Sequence, residues 1–330
     1  MRVVVAPDSF TGSCSARDAA LAIAAGWRSV RPDDEVLVLP QADGGVGTLE
    51  VVAAAVPDAA LRDAGEVTGA DGRPAPGRWL ELPDGRALVE LADCVGLWRM
   101  ERPDPLGARF LDAEGRALPD GGAALARLDR VDLAGLRTPP AELELWCDVD
   151  APLTGPRGAA SVFGPQKGAD AEQVRELDAA LARLAGVLGG DRDSPGAGAA
   201  GGTAYGLVTA WGAHMVSGSA AVSALTGLDD AIPAADLVVT GEGRVDAATA
   251  AGKVAGAILR RAEDAGVPVA LVAGAIDSGA ASGIPAASLV ELAGTAEAAM
   301  TEATRWIERA GAALAERLAP GPNVSRVPSV

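Results

Sequence analysis

Acidic side chains follow four of the strands that the sequence predicts, and they come from both ends of the chain: Asp8, Asp43, Glu242 and Asp277. Because parallel sheets bind ligands at the carboxyl ends of their strands, we expect these four carboxylates to face one crevice. Carboxylate oxygen and water are the ligands that a hard cation such as Mg²⁺ prefers. The pattern therefore predicts a divalent-cation site. For any one of these residues alone, the alternative is an acid that caps a loop or a helix.

Glycine-rich stretches are the second feature that could do chemistry. Four of them lie beside polar residues and precede predicted helices: residues 43–48, 164–168, 195–202 and 240–244. Glycine lets backbone N–H groups approach an anion, and a helix N-terminus behind the loop favours negative charge. None has the GxxxxGK[ST] spacing of a Walker A loop. The alternative, strongest for residues 195–202, is that glycine and alanine allow close packing of helices.

Basic side chains lie in or just after these stretches, in a chain that has few of them. The chain contains 28 Lys and Arg against 45 Asp and Glu, which gives a net charge of −17. Lys167, Arg244 and Lys253 are the candidates, because phosphate and carboxylate are bound by charge-assisted hydrogen bonds at short range. For Lys167 and Lys253 the alternative is a solvated surface lysine.

Composition excludes several classes of function. The negative charge repels polyphosphate, which argues against binding to nucleic acid or to an anionic membrane. Three separate cysteines without a CxxC pair and one histidine, His214, argue against a zinc site, a disulfide framework and a histidine cluster. No run reaches about 18 apolar residues, and no signal peptide is apparent. We therefore expect a cytoplasmic protein.

The elements that must position these residues alternate in type at both ends of the chain. Strands are predicted over residues 2–6, 36–39, 236–239 and 267–272, and helices over residues 16–27, 48–55, 249–263 and 296–318. A strand–helix–strand order implies a parallel sheet with helices packed on its faces.

The middle of the chain has a different pattern. Short alternating segments with Asp-Gly turns at residues 71–72 and 84–85 indicate a β-meander, and a long helix is predicted over residues 170–188. We therefore predict an α/β protein of two domains. Residues 1–66 and 205–330 form a flavodoxin-like or Rossmann-like parallel-sheet domain, residues 67–204 form an inserted mixed α/β domain, and the active site lies in the cleft between them.

Seven strings resemble, in the same order, signatures of the type-1 glycerate kinase family: residues 6–16, 42–45, 147–149, 155–156, 162–169, 195–202 and 239–246. The strings VFGPQKGA and TGEGRVD are specific. The resemblance covers nearly the whole chain. It implies a two-domain α/β fold and the transfer of the γ-phosphoryl group of ATP, with Mg²⁺, to a hydroxyl of D-glycerate or a related small hydroxy acid.

The resemblance also implies roles for individual residues. Asp8 and Asp43 are expected to bind the metal or act as the general base, and Asp246 is expected to join them as a catalytic residue. Residues expected to bind substrate or phosphate are Ser9, Gly44, Gly45, Lys167, Gly198, Gly201, Glu242, Arg244 and Lys253. The expected partners are a nucleotide and a small hydroxy acid, and a homodimer is compatible with the pattern.

The chain departs from the family pattern at four places. Thr11 replaces the lysine of DSFKGS, Val46 replaces the acid of DGGEGT, and the asparagine of DVTNPLxGP is lost at Asp150-Ala151. In addition, residues 103–106 are followed directly by residues 107–112, whereas the family has between them a further segment that ends in a GGSATNDGG loop. Because phosphoryl transfer depends on positioning and charge stabilisation, the alternative function is a repurposed paralogue. Such a protein would have weak or no kinase activity and would bind or transform another small anionic metabolite.

Thr11→Lys is expected to raise glycerate turnover or tighten anion binding, because it adds an ammonium group to an acidic site. Steady-state kinetics and calorimetry with D-glycerate check this, with Thr301→Lys as a control for added charge. The wild-type chain is expected to be slow. A wild-type kcat for D-glycerate within the ordinary range of about 1–10³ s⁻¹ would contradict the impaired site.

Overall fold

The computed structural model describes residues 1–68, 74–91, 109–119, 122–137, 139, 142–246 and 254–318. It divides into two compact units. The first unit contains Met1–Ala42, Glu50–Pro57 and the described residues from Val222 onward, and the second contains Asp43–Leu49 and the described residues within Asp58–Ala221. The predicted domain boundaries lay elsewhere, at 66/67 and 204/205; the units assign residues 43–49, 58–66 and 205–221 to the second unit.

Most strands of the described residues are short, and the exceptions are β3 and β4 in the second unit and β10 and β11 in the first. In chain order they are β1 (Arg2–Val5), β2 (Glu35–Val38), β3 (Ala60–Thr68), β4 (Pro74–Glu81), β5 (Ala87–Leu88), β6 (Arg109–Leu111), β7 (Arg130–Asp132), β8 (Glu144–Trp146), β9 (His214–Val216), β10 (Leu237–Val245), β11 (Val269–Ile276) and β12 (Ala286–Ser288).

The α-helices of the described residues lie in both units. In chain order they are α1 (Ala16–Val30), α2 (Thr48–Ala55), α3 (Ala159–Phe163), α4 (Ala171–Leu188), α5 (Thr203–Trp211), α6 (Gly218–Thr226), α7 (Leu228–Ala231), α8 (Val254–Asp264), α9 (Leu289–Ala293), α10 (Ala296–Thr301) and α11 (Ala303–Arg317). No helix among the described residues is long and apolar enough to cross a membrane.

The first unit is built on a five-stranded sheet in the order β12-β11-β10-β1-β2, in which every neighbouring pair is parallel. From β1 the chain proceeds outward to β2 on one side, while β10 and then β11 and β12 fill the other side. The order therefore reverses between β1 and β10. In open α/β sheets this switch point is where ligands bind, at the carboxyl ends of the strands.

Helices cover both faces of this sheet, because apolar side chains of β1 point to both faces. Val3 and Val5 are fully buried in a cluster with residues of α1 and α11. Val4 is fully buried in a second cluster with α7 and α8. Successive strand residues point to opposite faces, so a strand of valines is apolar on both sides. This matches the continuous apolar run from which a buried parallel strand was predicted.

Two strands of the first unit extend further than predicted. Residues 240–244 were predicted to form a loop, but they continue β10 to Val245, and β11 likewise runs on to Ile276. The register pairs Glu242 with Ala273 and Arg244 with Ala275. Glycines lower the strand propensity of these residues, but parallel pairing with a neighbour overrides the local preference. The last predicted helix is also interrupted, at Glu302, between α10 and α11.

The second unit combines small sheets with helices. The strands β3, β4 and β5 form an antiparallel sheet, β6 pairs with β7, and β8 runs parallel to β9. Helix α4 begins at a capping box, in which Asp170 accepts from the N–H groups of Glu172 and Gln173 while the Gln173 side chain accepts from Asp170. Its buried face packs with Leu128, Leu153 and Tyr205.

Asp34 ties the end of α1 to the start of β2. Its Oδ2 atom accepts from Trp27 Nε1 at 3.0 Å and from Arg31 Nε at 2.6 Å, and its Oδ1 atom accepts from the N-terminal ammonium at 2.8 Å. Burial acts to raise the pKa of Asp34, but the hydrogen bonds from Arg31, the ammonium and Trp27 outweigh it and hold the pKa well below its usual range. The ionised carboxylate therefore stabilises this corner.

Asp34→Asn is expected to lower the free energy of unfolding near pH 7 by about 1.5–3 kcal/mol, because it removes a charged acceptor of several hydrogen bonds. Since folding lowers this pKa, the contribution is complete above the unfolded-state value of about 3.9 and is lost as the pH falls below it. Urea unfolding at pH 7, 5 and 3.5 should show the gap between variant and wild type shrinking only at the lowest pH. The exposed neighbour Asp33 provides the control Asp33→Asn, and a gap independent of pH would contradict the assignment.

Candidate functional site

The loop after β1 lies along β10 at the switch point of the first unit. The N–H of Asp8 donates to the carbonyl oxygen of Gly241 at 2.8 Å, so the chain stays paired beyond the end of β1. The half-buried Asp8 accepts from the N–H of Ser9 at its Oδ1 atom, at 2.6 Å. Thr11 is exposed in the same loop, and its backbone nitrogen lies 3.3 Å from the point where Gly243 would carry a Cβ. The DSFTGS string is thereby fixed at the edge where a ligand is expected.

The TGEGRVD string supplies β10 residues to the same edge. Along this strand Glu242 is buried, with 6% of its surface exposed, whereas Arg244 is exposed. Arg244 Nη2 donates to Asp277 Oδ1 at 2.8 Å, and the two groups form an ion pair. Asp277, the fourth acid of the sequence pattern, therefore lies at the end of β11 beside Arg244. Asp246 directly follows β10 and is half-buried.

Asp43 belongs to a loop of the second unit that is packed between two backbone segments. Gly44 has φ +95°, and a Cβ there would collide with the carbonyl oxygen of Trp146. A Cβ on Gly218, the first residue of α6, would collide with the carbonyl oxygen of Asp43. The N–H of Gly45 donates to Asp43 Oδ1 at 2.9 Å. Gly44 is thus needed for the turn and for close contact with the end of β8, and Gly218 for close contact of the start of α6 with Asp43.

Asp148 is a residue of this site that the sequence analysis did not single out. It follows β8, and its carboxylate accepts from Ser217 Oγ at 2.7 Å and from the N–H of Ser219 at 2.9 Å. These bonds tie the end of β8 to the start of α6, next to the contact between Gly218 and Asp43. The signal was present in the string Cys147-Asp148-Val149, which resembles a family signature.

The surroundings of Cys147 are strongly acidic. Burial raises the pKa of the Cys147 thiol, the N–H of Val149 acts against this, and the carboxylates of Asp148, Asp43 and Asp150 raise the pKa further. The Sγ atom accepts from the N–H of Val149 at 3.3 Å. A raised pKa favours the protonated thiol at neutral pH, which disfavours Cys147 as a nucleophile or a thiolate ligand.

The remaining predicted anion-binding residues differ in what the structure shows. Lys167 is exposed at the end of a 3₁₀ turn, Pro165–Lys167, and partial burial of the side chain lowers the pKa of its ammonium. The N–H of Gly198 donates to Ala151 O at 2.9 Å, and that of Gly201 donates to Gly198 O at 3.1 Å. Both glycine N–H groups therefore have backbone acceptors, and phosphate binding by them stays a prediction. Lys253 lies outside the described residues, as does the junction at residues 103–108.

The described residues contain no group of three or more His, Cys, Asp and Glu side chains placed to hold a metal ion. Mg²⁺ does not need such a cage, because proteins commonly bind it through one or two carboxylates together with phosphates and water. Asp8 of the first unit and Asp43 of the second unit each provide a carboxylate of this kind, and binding of a magnesium–nucleotide complex by them stays a prediction.

Comparison with known proteins explains this arrangement. The model of the glycerate kinase family matches residues 3–106 and 104–319. The chain belongs to the glycerate kinase family. The predicted family is therefore confirmed.

Individual glycerate kinases resemble the chain over most of its length. A glycerate kinase of Bacillus subtilis (strain 168) is 36% identical, with 94% of this chain and 95% of the relative covered. A glycerate 2-kinase of Escherichia coli (strain K12) is 34% identical, with 84% and 86% covered. The crystal structure of a protein assigned as glycerate kinase 2 from Salmonella typhimurium LT2 has a TM-score of 0.72 at 31% identity, with 96% and 98% covered. The predicted two-domain α/β fold class is confirmed.

The comparison also bears on the segment expected to be missing. The family match is broken at residues 104–106, within the string PDPLG. The alignment with the Bacillus subtilis glycerate kinase is 366 positions long, more than the 330 residues of this chain, so the relative has residues without a counterpart here. Both findings support a shortened junction in this member of the glycerate kinase family.

The contact at Gly44 leads to a prediction for this glycerate kinase family member. Gly44→Ala is expected to destabilise the second unit by about 2–4 kcal/mol, since it combines a left-handed backbone with a collision against Trp146. Gly47→Ala is the matched control, because Gly47 also has a positive φ, +91°, but nothing lies within 4 Å of its missing Cβ. Urea unfolding of the two variants should separate them by about 1 kcal/mol or more. Equal destabilisation would contradict the close contact.

Proposed function

We propose that this glycerate kinase family member is an ATP- and Mg²⁺-dependent kinase that phosphorylates a hydroxyl of D-glycerate or a related small hydroxy acid. The observation that carries the proposal is the position of Asp8 at the switch point between β1 and β10, where its N–H bonds to Gly241. Both strings that meet there, DSFTGS and TGEGRVD, resemble signatures of the family to which the whole chain belongs.

The reaction we propose requires one proton acceptor. The substrate hydroxyl oxygen bonds to the γ-phosphorus of ATP, the bond from that phosphorus to the bridging oxygen breaks, and ADP leaves. The hydroxyl proton passes to a carboxylate oxygen, for which we assign Asp8, and Asp246, which directly follows β10, is a further candidate acid. Bound Mg²⁺ supplies neutralisation of the phosphate charge, and the residues that would hold it are Asp8 and Asp43.

Two cationic side chains are our candidates for binding the substrate carboxylate and the phosphates. Arg244 uses one Nη2 bond for Asp277 and has further N–H donors, because a guanidinium carries five. The Asp277 carboxylate fixes the orientation of the guanidinium before an anion arrives. The exposed Lys167 supplies a second positive charge, in a protein whose net charge of −17 otherwise repels such a substrate. These two residues are our candidates for the anion clamps.

Asp8→Asn and Asp43→Asn are each expected to reduce turnover at least about 100-fold, since each removes a carboxylate assigned to proton transfer or metal binding. The assay couples ADP release to a panel of hydroxy acids, with nucleotide binding measured by calorimetry. Asp33→Asn is the control, because Asp33 is exposed at the opposite, amino-terminal edge of the sheet, just before β2.

Two results would overturn the proposal. One is a wild-type chain that converts none of the hydroxy acids with ATP, which would favour the repurposed paralogue. The other is normal turnover by both folded variants, which would make Asp8 and Asp43 structural caps. Circular dichroism establishes that each variant is folded.

A further inference from the structure

A buried glutamate outside the motifs of the sequence analysis contacts the loop that carries Asp43. Glu90 has 4% of its surface exposed and lies two residues after β5. Its Oε1 atom accepts from the N–H of Gly47 at 2.9 Å, and its Oε2 atom accepts from the N–H of Leu49 at 3.1 Å. One carboxylate therefore joins the antiparallel sheet of the second unit to the start of α2.

These bonds meet the far end of a loop whose near end is already fixed. The near end is held by the contact of Gly44 with Trp146 and of Asp43 with Gly218. In the middle, Thr48 Oγ1 donates to the carbonyl oxygen of Gly45 at 2.7 Å. Glu90 adds a restraint at the far end of the loop, where Gly47 has φ +91° and the chain enters α2.

The same bonds change what the N-terminus of α2 can do. The first N–H groups of a helix lack partners within the helix and attract anions. Glu90 provides the negative charge from within the protein, so two of these donors already have an acceptor. The stretch 43–48 was predicted as an anion-binding loop, but the N–H of Gly47 within it and the N–H of Leu49 just after it donate to a side chain of the same unit.

We propose that Glu90 is a positioning residue: its buried carboxylate replaces an external anion at the N-terminus of α2 and fixes the loop that presents Asp43. The kinetic part of this inference rests on the proposed function, whereas the loop-fixing part does not. A purely structural cap would stabilise the unit without acting through Asp43. The two roles differ in measurable ways.

The test uses the full chain with Glu90→Gln, which keeps the shape but removes the charge, and Glu90→Asp, which keeps the charge but shortens the reach. Asp112→Asn is the matched control, because Asp112 also accepts from two backbone N–H groups of the second unit, those of Glu114 and Arg116. Hydrogen exchange of residues 43–49 is measured for each variant. The kcat and the KM for the hydroxy acid are measured with the assay that follows ADP release.

In both Glu90 variants, exchange at Gly47 and Leu49 is expected to rise at least about tenfold. The kcat is expected to fall at least about tenfold with a smaller change in KM, whereas Asp112→Asn leaves both near wild type. If Glu90 acts through Asp43, adding Glu90→Gln to Asp43→Asn reduces kcat little further, since coupled residues are not additive. If Glu90→Gln does not fold, Glu90→Asp carries the same comparison.

Three results would overturn the inference: unchanged exchange at residues 43–49, a kcat no lower than that of Asp112→Asn, or an additive effect in the double variant. A wild-type chain without turnover would refute the proposed function instead. In that case hydrogen exchange alone tests the loop-fixing role of Glu90. Loss of protection only in residues 43–49 of the Glu90 variants supports that role, and loss of protection throughout the second unit overturns it.

Discussion

The parallel pairing of β1 with β10 is the constraint on which the first unit depends. It joins residues from opposite ends of the chain, and it is reinforced where the buried Thr240 Oγ1 donates to the carbonyl oxygen of Ala6 at 2.8 Å, across 234 positions. Without this pairing the sheet would have no central strand beside β1 and no reversal of strand order. The reversal creates the edge at which Asp8 and Glu242 are found. Two short motifs acquire a common location only through it.

In the second unit, the loop that carries Asp43 is held without pairing to a long parallel sheet. The parallel pair β8 and β9 of this unit is only three residues long in each strand. Backbone contacts at Gly44 and Gly218 and side-chain bonds from Asp148 and Glu90 take over the role that strand pairing has in the first unit. Carboxylates serve here as internal anions for helix N-termini. The excess of acidic residues in this chain is therefore partly structural.

Negative charge also limits how the site can work. In a chain of net charge −17, the anionic nucleotide and hydroxy acid that we propose as ligands require a few local cations to attract them. The ion pair between Arg244 and Asp277 fixes the orientation of one such cation at the ends of β10 and β11. In the site that we propose, the absence of the family lysine at Thr11 and of the loop near residue 104 leaves fewer groups to bind an anion.

Local sequence signals determined much of this protein. The helix predicted over residues 48–55 is α2, and the helix predicted over 170–188 is α4 with Asp170 as its cap. Hydrophobic periodicity and helix capping depend on residues close in sequence, so they can be predicted without knowledge of the tertiary structure. The acids after predicted strands and the family strings could likewise be read directly. Tertiary structure decided the full length of β10, the pairing of Arg244 with Asp277 and the bonds from Glu90 to the start of α2. Each of these depends on which distant segment becomes the neighbour, and a local pattern contains no information about that partner.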